Sequence, residues 1–449
     1  MFNKQLIKQT VKLGWPISLQ NILVTLLSMI DVIMVSHLGA EAIAAVGLSN
    51  RVMFVIMVIL LGLGWGVGIL SAQYYGAGET VKIRRSILIG CSYAILALVP
   101  IVWLNFYFAD TVLGLGTRDS TVITLGEEYL WVTVPSLLFV GVILVFENAL
   151  RSMNQVKLPL FFSSVSIFIN VILNYWLING GLGIEPLGVL GAAWATTISR
   201  AIQAVLLLAV LHKLKLNISI QRSDFTYLNQ AKDWIKMLKL VLPMMFSFGI
   251  WAVGSFCYQL IFGNVGTIEL AVISMLLPIE GVFMSLFFGI ASACSISVGQ
   301  HLGANRMDDA WTMAKTFSTL SPVIALLFGG FVLLAKDIIL LPYADVAPET
   351  LVLTEQVFVL IALLSFLKVI NMTFAMGVLR AGGDNRYCLI TDTTCMWLIS
   401  LPLTWLAAFY WQLSFVLVVL MAYSEEVAKM FMFGLRVKSK RWMNNLTHE

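Results

Sequence analysis

Few ionisable side chains lie within the apolar stretches of this chain, so each one is a candidate for chemistry. Asp31 is the most prominent, because apolar residues flank it on both sides in LLSMIDVIMV. A second apolar stretch, SIFINVILNYWL, carries Asn170 and Asn174, whose i, i+4 spacing places both amides on one face of a helix. One carboxylate and two amide carbonyls could hold a desolvated Na⁺, and the carboxylate alone could carry a proton. The asparagines could equally form hydrogen bonds that join helices.

Three more polar residues lie in apolar stretches of the second half of the chain. Lys368 and Asn371 share one stretch, and Asp392 lies in the next, TDTTCMWLISLP. Because charges at membrane depth are costly, they usually face a cavity or a partner. We therefore interpret these three as candidate substrate or relay groups. The remaining charged sets are interpreted as structural: Glu147 with Arg151, and Arg200, Glu425, Glu426 and Lys429.

The elements that position these residues are predicted to be membrane helices. The 449 residues are 59% hydrophobic and only 12% charged, with a mean hydropathy of +0.91, whereas soluble proteins are about 25% charged. A bilayer core about 30 Å thick needs roughly 20 apolar helical residues to cross it. The sequence holds twelve such stretches, near 13–36, 43–72, 86–108, 130–150, 159–178, 188–211, 237–262, 270–298, 312–335, 355–378, 387–410 and 413–435. Their continuous apolar runs favour helices over the alternating strands of a barrel.

Lysine and arginine predict the orientation of these helices. If both termini lie inside, the inner loops hold 22 of the 28 basic residues, and the outer loops hold only Arg118 and Lys336. The basic start of the chain runs directly into the first spanning stretch, so we interpret it as a membrane helix and not as a cleaved signal. We expect a protein of the bacterial inner (cytoplasmic) membrane with both termini in the cytoplasm.

The second half of the chain repeats the first. An offset of 227 maps Pro16 onto Pro243 and Gln73 onto Gln300, and an offset of 229 maps Arg151 onto Arg380. Six helices per half predict two parallel lobes related by a pseudo-two-fold axis along the membrane normal, an arrangement typical of secondary transporters. The expected boundaries are 1–212 for the first lobe, 213–236 for a cytoplasmic linker and 237–449 for the second lobe.

Two further hypotheses concern movement. Arg51 and Glu280 occupy nearly equivalent places in the two halves, so they could form an ion pair between the lobes that closes a gate, or each could extend separately to the outer surface. Pro16 lies within the first predicted helix, where proline frees a backbone carbonyl and allows a kink. We interpret Pro16 as a hinge for the segment that carries Asp31.

Composition argues against several other classes. The five cysteines and four histidines are scattered, so we expect no metal cluster, no disulfide framework, no cofactor and no enzyme site. The net charge of +4 gives no indication of nucleic-acid binding. The expected partners are the lipid bilayer and small organic, often cationic, compounds, and we expect a monomer.

These features together resemble the multidrug and toxic compound extrusion (MATE) family. The stretches GWPISLQN, MIDVIMVSHLGAEAIAAVGLS, SAQYYGAGE and GVLRAGGDNRY carry the resemblance, which covers nearly the whole chain. It implies an efflux antiporter driven by Na⁺ or H⁺, with Asp31, Asn170 and Asn174 matching the polar residues of the family's first and fifth helices. A NorM-like branch also places acids in helices 7 and 10, where this chain has Trp251 and Val369, so the resemblance assigns cation coupling to Asp31.

Two related classes of transporter are alternatives. A lipid-linked or polysaccharide flippase of similar fold should have a strongly cationic cleft and extra helices, which this sequence lacks. A major-facilitator transporter usually carries an Asp-Arg motif after its second helix, and GAGETVKIRR has none. Sequence favours the antiporter but does not identify its substrates.

Overall fold

Long helices account for nearly all of the structure, a computed structural model that describes residues 4–181, 183–213, 219–343 and 346–448. Within these residues no β-strand occurs. Among the described residues, ten helices are long and apolar enough to cross a membrane, and a bent pair of shorter helices adds an eleventh candidate span. By packing, the chain divides into two compact units: an N unit, Leu19–Met245, and a C unit, which joins Met1–Ser18 to Phe246–Glu449.

The N unit contains the first half of the sequence repeat. Its helices are most of α1 (Lys4–Val35), then α2 (Ala40–Gly76), α3 (Thr80–Gly114), α4 (Ser120–Thr133), α5 (Leu137–Ser152), α6 (Lys157–Asn179), α7 (Gly188–Lys213) and the start of α8 (Ala231–Val265). Helices α6 and α7 pack closely, since a Cβ atom on Gly191 would lie 2.5 Å from the Leu177 carbonyl oxygen. A core that includes Val35, Tyr129 and Ile178 holds the end of α1 against this pair.

The C unit contains the second half and is more irregular. Its helices are the start of α1, the rest of α8, α9 (Thr267–Gly303), α10 (Met307–Leu334), α11 (Lys336–Leu340), α12 (Pro348–Met372), α13 (Asn385–Thr393), α14 (Leu401–Trp405), α15 (Phe415–Ala422) and α16 (Ser424–Lys438). Wider π-helical turns follow α12, α13 and α14, over Thr373–Leu379, Thr394–Ser400 and Leu406–Tyr410. Such turns often occur at functional sites in helices.

Two of the twelve predicted spans differ from simple straight helices. The stretch predicted at 130–150 begins earlier, as α4 and α5 bent by 47° around Pro135, which cannot continue a helical hydrogen-bond ladder. The stretch predicted at 413–435 is divided into α15 and α16 at Tyr423. The acids Glu425 and Glu426 begin α16, so the polar residues of this span are concentrated just after its break.

Each half contributes the start of its first helix to the other half's unit. Helix α1 passes from the C unit to the N unit after Ser18, two residues beyond Pro16, and α8 passes from the N unit to the C unit after Met245, two residues beyond Pro243. The two units are defined by which residues pack together, whereas the predicted lobes are defined by the sequence repeat. The predicted lobe boundaries at 212 and 237 therefore stay a prediction.

Glycine permits the close packing of both helix starts. In the C unit, a Cβ atom on Gly289 of α9 would lie 2.5 Å from the Gly14 carbonyl oxygen of α1. In the N unit, a Cβ atom on Gly62 of α2 would lie 2.9 Å from the backbone of Met245 in α8. Gly62 and Gly289 are related by the 227-residue offset, so the same device occurs twice.

Candidate cation-binding site

Asp31 lies near the end of α1, where its carboxylate meets the amides of α6. Asn174 Nδ2 donates to Asp31 Oδ1 over 2.6 Å and to Asn170 Oδ1 over 3.0 Å. Both asparagines are buried, whereas Asp31 is partly exposed. The structure thus brings together the three residues identified from the sequence and leaves part of Asp31 accessible.

The local sequence of α6 explains this arrangement. Ser163, Ser166, Asn170 and Asn174 recur every three or four residues, and all four are buried. This spacing aligns them on one side of the helix, and α7 packs against α6. A polar stripe therefore runs along α6 inside the N unit.

Two hydroxyl residues of α7 complete the cluster, and sequence reasoning missed them. Asn170 Nδ2 lies 3.4 Å from Thr196 Oγ1 and 3.4 Å from Ser199 Oγ. The available signal was their i, i+3 spacing on α7. That signal is weak, because serine and threonine often satisfy the backbone of their own helix.

The cluster offers oxygen atoms of the kind that a hard cation binds. Besides the Asp31 carboxylate, it presents the Asn170 carbonyl and the hydroxyls of Thr196 and Ser199. Asn174 Oδ1 is buried and has no hydrogen-bond partner within the described residues. An unsatisfied buried acceptor is costly, so a cation or a proton on Asp31 would add a favourable electrostatic interaction at this point. The residues present therefore fit either Na⁺ or H⁺.

Arg200 of α7 sets the electrostatic environment of the cluster. It interacts electrostatically with Asp31 and Tyr129, and its Nη1 donates to Ser136 Oγ over 2.8 Å. The guanidinium stabilises the ionised carboxylate and repels an incoming cation. The sequence interpretation of Arg200 as purely structural therefore omits its electrostatic effect on Asp31.

A second carboxylate, Glu147, is buried and joins four helices of the N unit. Its oxygens accept from Gln20 of α1 at 2.9 Å, Ser163 of α6 at 3.2 Å and Gln203 of α7 at 3.1 Å. Arg151, also on α5, lies 3.4 Å from the same carboxylate. The sequence predicted only the local pair of Glu147 and Arg151, because the partners from other helices are distant in sequence.

Equivalent arginines hold the first helix of each half just beyond its proline. Arg151 Nη2 donates to Gln20 Oε1 over 2.7 Å, and Gln20 lies four residues after Pro16. Arg380 Nη2 donates to Ser247 Oγ over 2.8 Å, and Ser247 lies four residues after Pro243. In each helix the arginine contact therefore lies two residues after the end of the segment that packs in the other half's unit.

In the C unit, Glu280 of α9 forms an ion pair with Lys368 of α12. The Lys368 Nζ atom also lies 4.9 Å from the centre of the Tyr423 ring. The sequence did not predict this pair. The hypothetical Arg51–Glu280 gate stays a prediction, and Glu280 has a basic partner within its own unit.

The other two candidates of the second half, Asn371 and Asp392, lie in the same polar network. Asn371 Nδ2 donates to the Glu426 carboxylate over 2.8 Å. Asp392 is 3.1 Å from Arg380 and 3.3 Å from Lys429, which is also paired with Glu425. Trp251 and Val369, at the positions of the NorM-branch acids, are exposed and buried, respectively.

Comparison with known proteins identifies relatives along almost the whole chain. The family model described as MatE matches residues 16–176 and 243–406, one match in each half. A protein of Bradyrhizobium diazoefficiens, "Probable multidrug resistance protein NorM", is 25% identical over 423 residues, covering 90% of this chain and 86% of that protein.

Solved structures share the fold at low sequence identity. A structure described as MATE in complex with MaD3S has a TM-score of 0.87 and 19% identity, and the match covers 98% of this chain and 99% of that one. A structure described as MATE in the bent conformation has a TM-score of 0.86 and 19% identity, over 97% and 96% of the two chains. The present chain therefore has the all-helical, twelve-span fold of these transporters.

Proposed function

The chain belongs to the MatE family of multidrug efflux transporters, and we propose that it is an antiporter that expels organic compounds in exchange for Na⁺ or H⁺. The observation that carries this proposal is the cluster in which Asn174 contacts both Asp31 and Asn170. It combines one carboxylate with uncharged oxygen ligands inside a membrane helix bundle. The multidrug names of the relatives support drug-like substrates and do not favour a lipid-linked or polysaccharide flippase. We propose that these substrates are often cationic.

The proposed cycle begins when a cation from outside binds Asp31 in the N unit. The cation neutralises the carboxylate and changes its balance with Arg200 and Asn174. The end of α1 then repacks, with Pro16 as the hinge, and substrate leaves toward the outside. Cation release and new substrate favour the inward-open state.

Three features support the hinge. Pro16 lies within α1, two residues before the helix enters the N unit, and Arg151 anchors the helix four residues beyond it. A structural relative has been described in a bent conformation. We further propose a monomer in the bacterial inner membrane with both termini in the cytoplasm, as the distribution of basic residues predicts.

The test is transport of a fluorescent organic cation in proteoliposomes, under an imposed Na⁺ gradient and then under a pH gradient. We expect transport under at least one gradient, and its loss in Asp31→Asn. Asp110→Asn, at an exposed position of α3, is the matched control and should transport normally. Undiminished transport by Asp31→Asn would contradict the assignment of Asp31, and the absence of transport by the wild type would contradict the drug-efflux function.

A further inference from the structure

The C unit contains a network of charged residues whose charges do not balance. It runs from Arg380 through Asp392, Lys429 and the adjacent acids of α16 to Lys368 and Glu280. Among the described residues the network holds four acids and three bases, so its formal charge is 3 − 4 = −1. The acids are Glu280, Asp392, Glu425 and Glu426, and the bases are Lys368, Arg380 and Lys429.

An uncompensated charge in such a setting is unfavourable. Removing charges from water is unfavourable unless each finds a partner. Arg380, Lys429 and Glu425 are buried, and the network lies between membrane-spanning helices. One additional positive charge would bring the network to neutrality.

We propose that Glu426 is a proton-binding site, which takes one proton and thereby neutralises the network of the C unit. The other three acids each form an ion pair with lysine or arginine, whereas Glu426 forms none within the described part of the chain. A proton on Glu426 therefore neutralises the network without breaking an ion pair. Glu426 is also of intermediate exposure, whereas Glu425 beside it is buried.

Asn371 suits both protonation states of Glu426. Its Nδ2 donates to the carboxylate over 2.8 Å, while its Oδ1 has no hydrogen-bond partner within the described residues, and the side chain is only 4% exposed. Rotation of the amide would let Oδ1 accept a hydrogen bond from the protonated acid. The asparagine can therefore satisfy Glu426 as an acceptor or as a donor.

The number of ligands that each ion needs favours a proton over a metal ion. Lys368 and Lys429 oppose any added positive charge beside Glu426, and the adjacent Glu425 offsets their effect. A hard metal ion needs several oxygen ligands, whereas a proton needs only one carboxylate oxygen. The other titratable groups around the site are Glu280 of α9, Tyr258 of α8, Asp392 of α13, Cys395 of the following π-helical turn, and Tyr423 and Glu425.

The proposal does not depend on which ion Asp31 takes, and infrared spectroscopy of the full chain in lipid tests it directly. A protonated carboxyl group has a C=O stretch that is separate from the bands of carboxylates. In the Asp31→Asn background, which removes any signal from Asp31, we expect such a band at neutral pH and its disappearance on alkaline titration. Glu426→Gln, which resembles the protonated acid in shape, should abolish the band.

Two further variants keep the test decisive. Glu425→Gln leaves three acids and three bases, so Glu426 should ionise and the band should again disappear. Asp337→Asn, at a highly exposed position of α11, should leave the band unchanged. Persistence of the band in Glu426→Gln or in Glu425→Gln overturns the proposal, as does a band that appears in Na⁺-free buffer and disappears when Na⁺ is added. Failed dye transport by Asp31→Asn would not affect this readout.

Discussion

At the scale of single residues, Asn174 connects Asp31, the proposed cation-binding residue, to the rest of its polar cluster. Its amide donates to the Asp31 carboxylate of α1 and to the Asn170 carbonyl of α6, so it holds these two groups at a fixed position relative to each other. Arg200 opposes the binding of a cation at Asp31, because its positive charge already stabilises the ionised carboxylate. The surroundings of Asp31 therefore include groups that could not all be recognised from the stretch of sequence that contains Asp31.

We predict opposite effects of two substitutions at position 174. Asn174→Leu removes a hydrogen bond to a charged group and a free carbonyl oxygen. The cation concentration for half-maximal dye transport should therefore rise about tenfold, or ~1.4 kcal/mol. Asn174→Asp places a second carboxylate beside the first, so that concentration should fall, because two adjacent carboxylates favour binding of a cation between them. Measuring transport against Na⁺ concentration and pH in proteoliposomes checks both.

A control for this prediction is Asn179→Leu, at the exposed end of the same helix. It should leave the cation dependence unchanged. Equal shifts in both leucine variants would show that the effect comes from α6 as a whole and not from the cluster.

The sequence predicted part of this site for a clear physical reason. Asp31, Asn170 and Asn174 are rare polar residues in apolar helices, so composition and one-helix spacing were enough to group them. Thr196, Ser199 and the network of Glu147 depend on which helices pack together. That information is not contained in the spacing of residues along a single helix.

At the scale of elements, the starts of α1 and α8 depend on close approach to glycine. Gly289 meets α1, and its repeat equivalent Gly62 meets α8. The sequence predicted the helices themselves from their length and hydrophobicity. It did not predict the bend at Pro135 or the break at Tyr423, because an apolar run has the same composition whether it is straight or divided.

We predict that Gly62→Ala and Gly289→Ala each destabilise the protein by about 1–3 kcal/mol, because the added methyl group would press on the backbone of a neighbouring helix. Gly330→Ala, on α10, is the matched control, since a Cβ atom there meets no atom within 4 Å. It should be neutral or slightly stabilising, because alanine favours a helix over glycine. Thermal unfolding in detergent compares the three, and equal midpoints would contradict this interpretation of the glycines.

At the scale of the whole molecule, the repeat describes two equivalent halves, but packing exchanges a segment of each. The N unit requires residues up to Met245, and the C unit requires the chain up to Ser18. The sequence repeat shows which positions of the two halves correspond. It does not show in which unit the start of each helix packs. Composition and repeat therefore predicted the number of helices more fully than their assignment to units.

We predict that a chain severed at residue 220 can work only when both pieces are present. The first piece lacks the start of α8, and the second lacks the start of α1, so each piece alone should aggregate or be degraded. Co-expressed pieces should copurify through one affinity tag and restore dye transport. A first piece extended to residue 265 contains all of α8 and should be more stable than the piece ending at 220. Normal stability of the shorter piece alone would contradict the exchange.

The exchanged helix starts also impose an order on biosynthesis. The ribosome completes the N unit when it has made Met245, so the first half can pack before most of the second half exists. The segment up to Ser18 emerges first, yet its packing partner, α9, is made more than 240 residues later. This oldest segment can therefore complete its packing only after α9 is made, so the second half of the chain, once inserted, packs against the part that was made first.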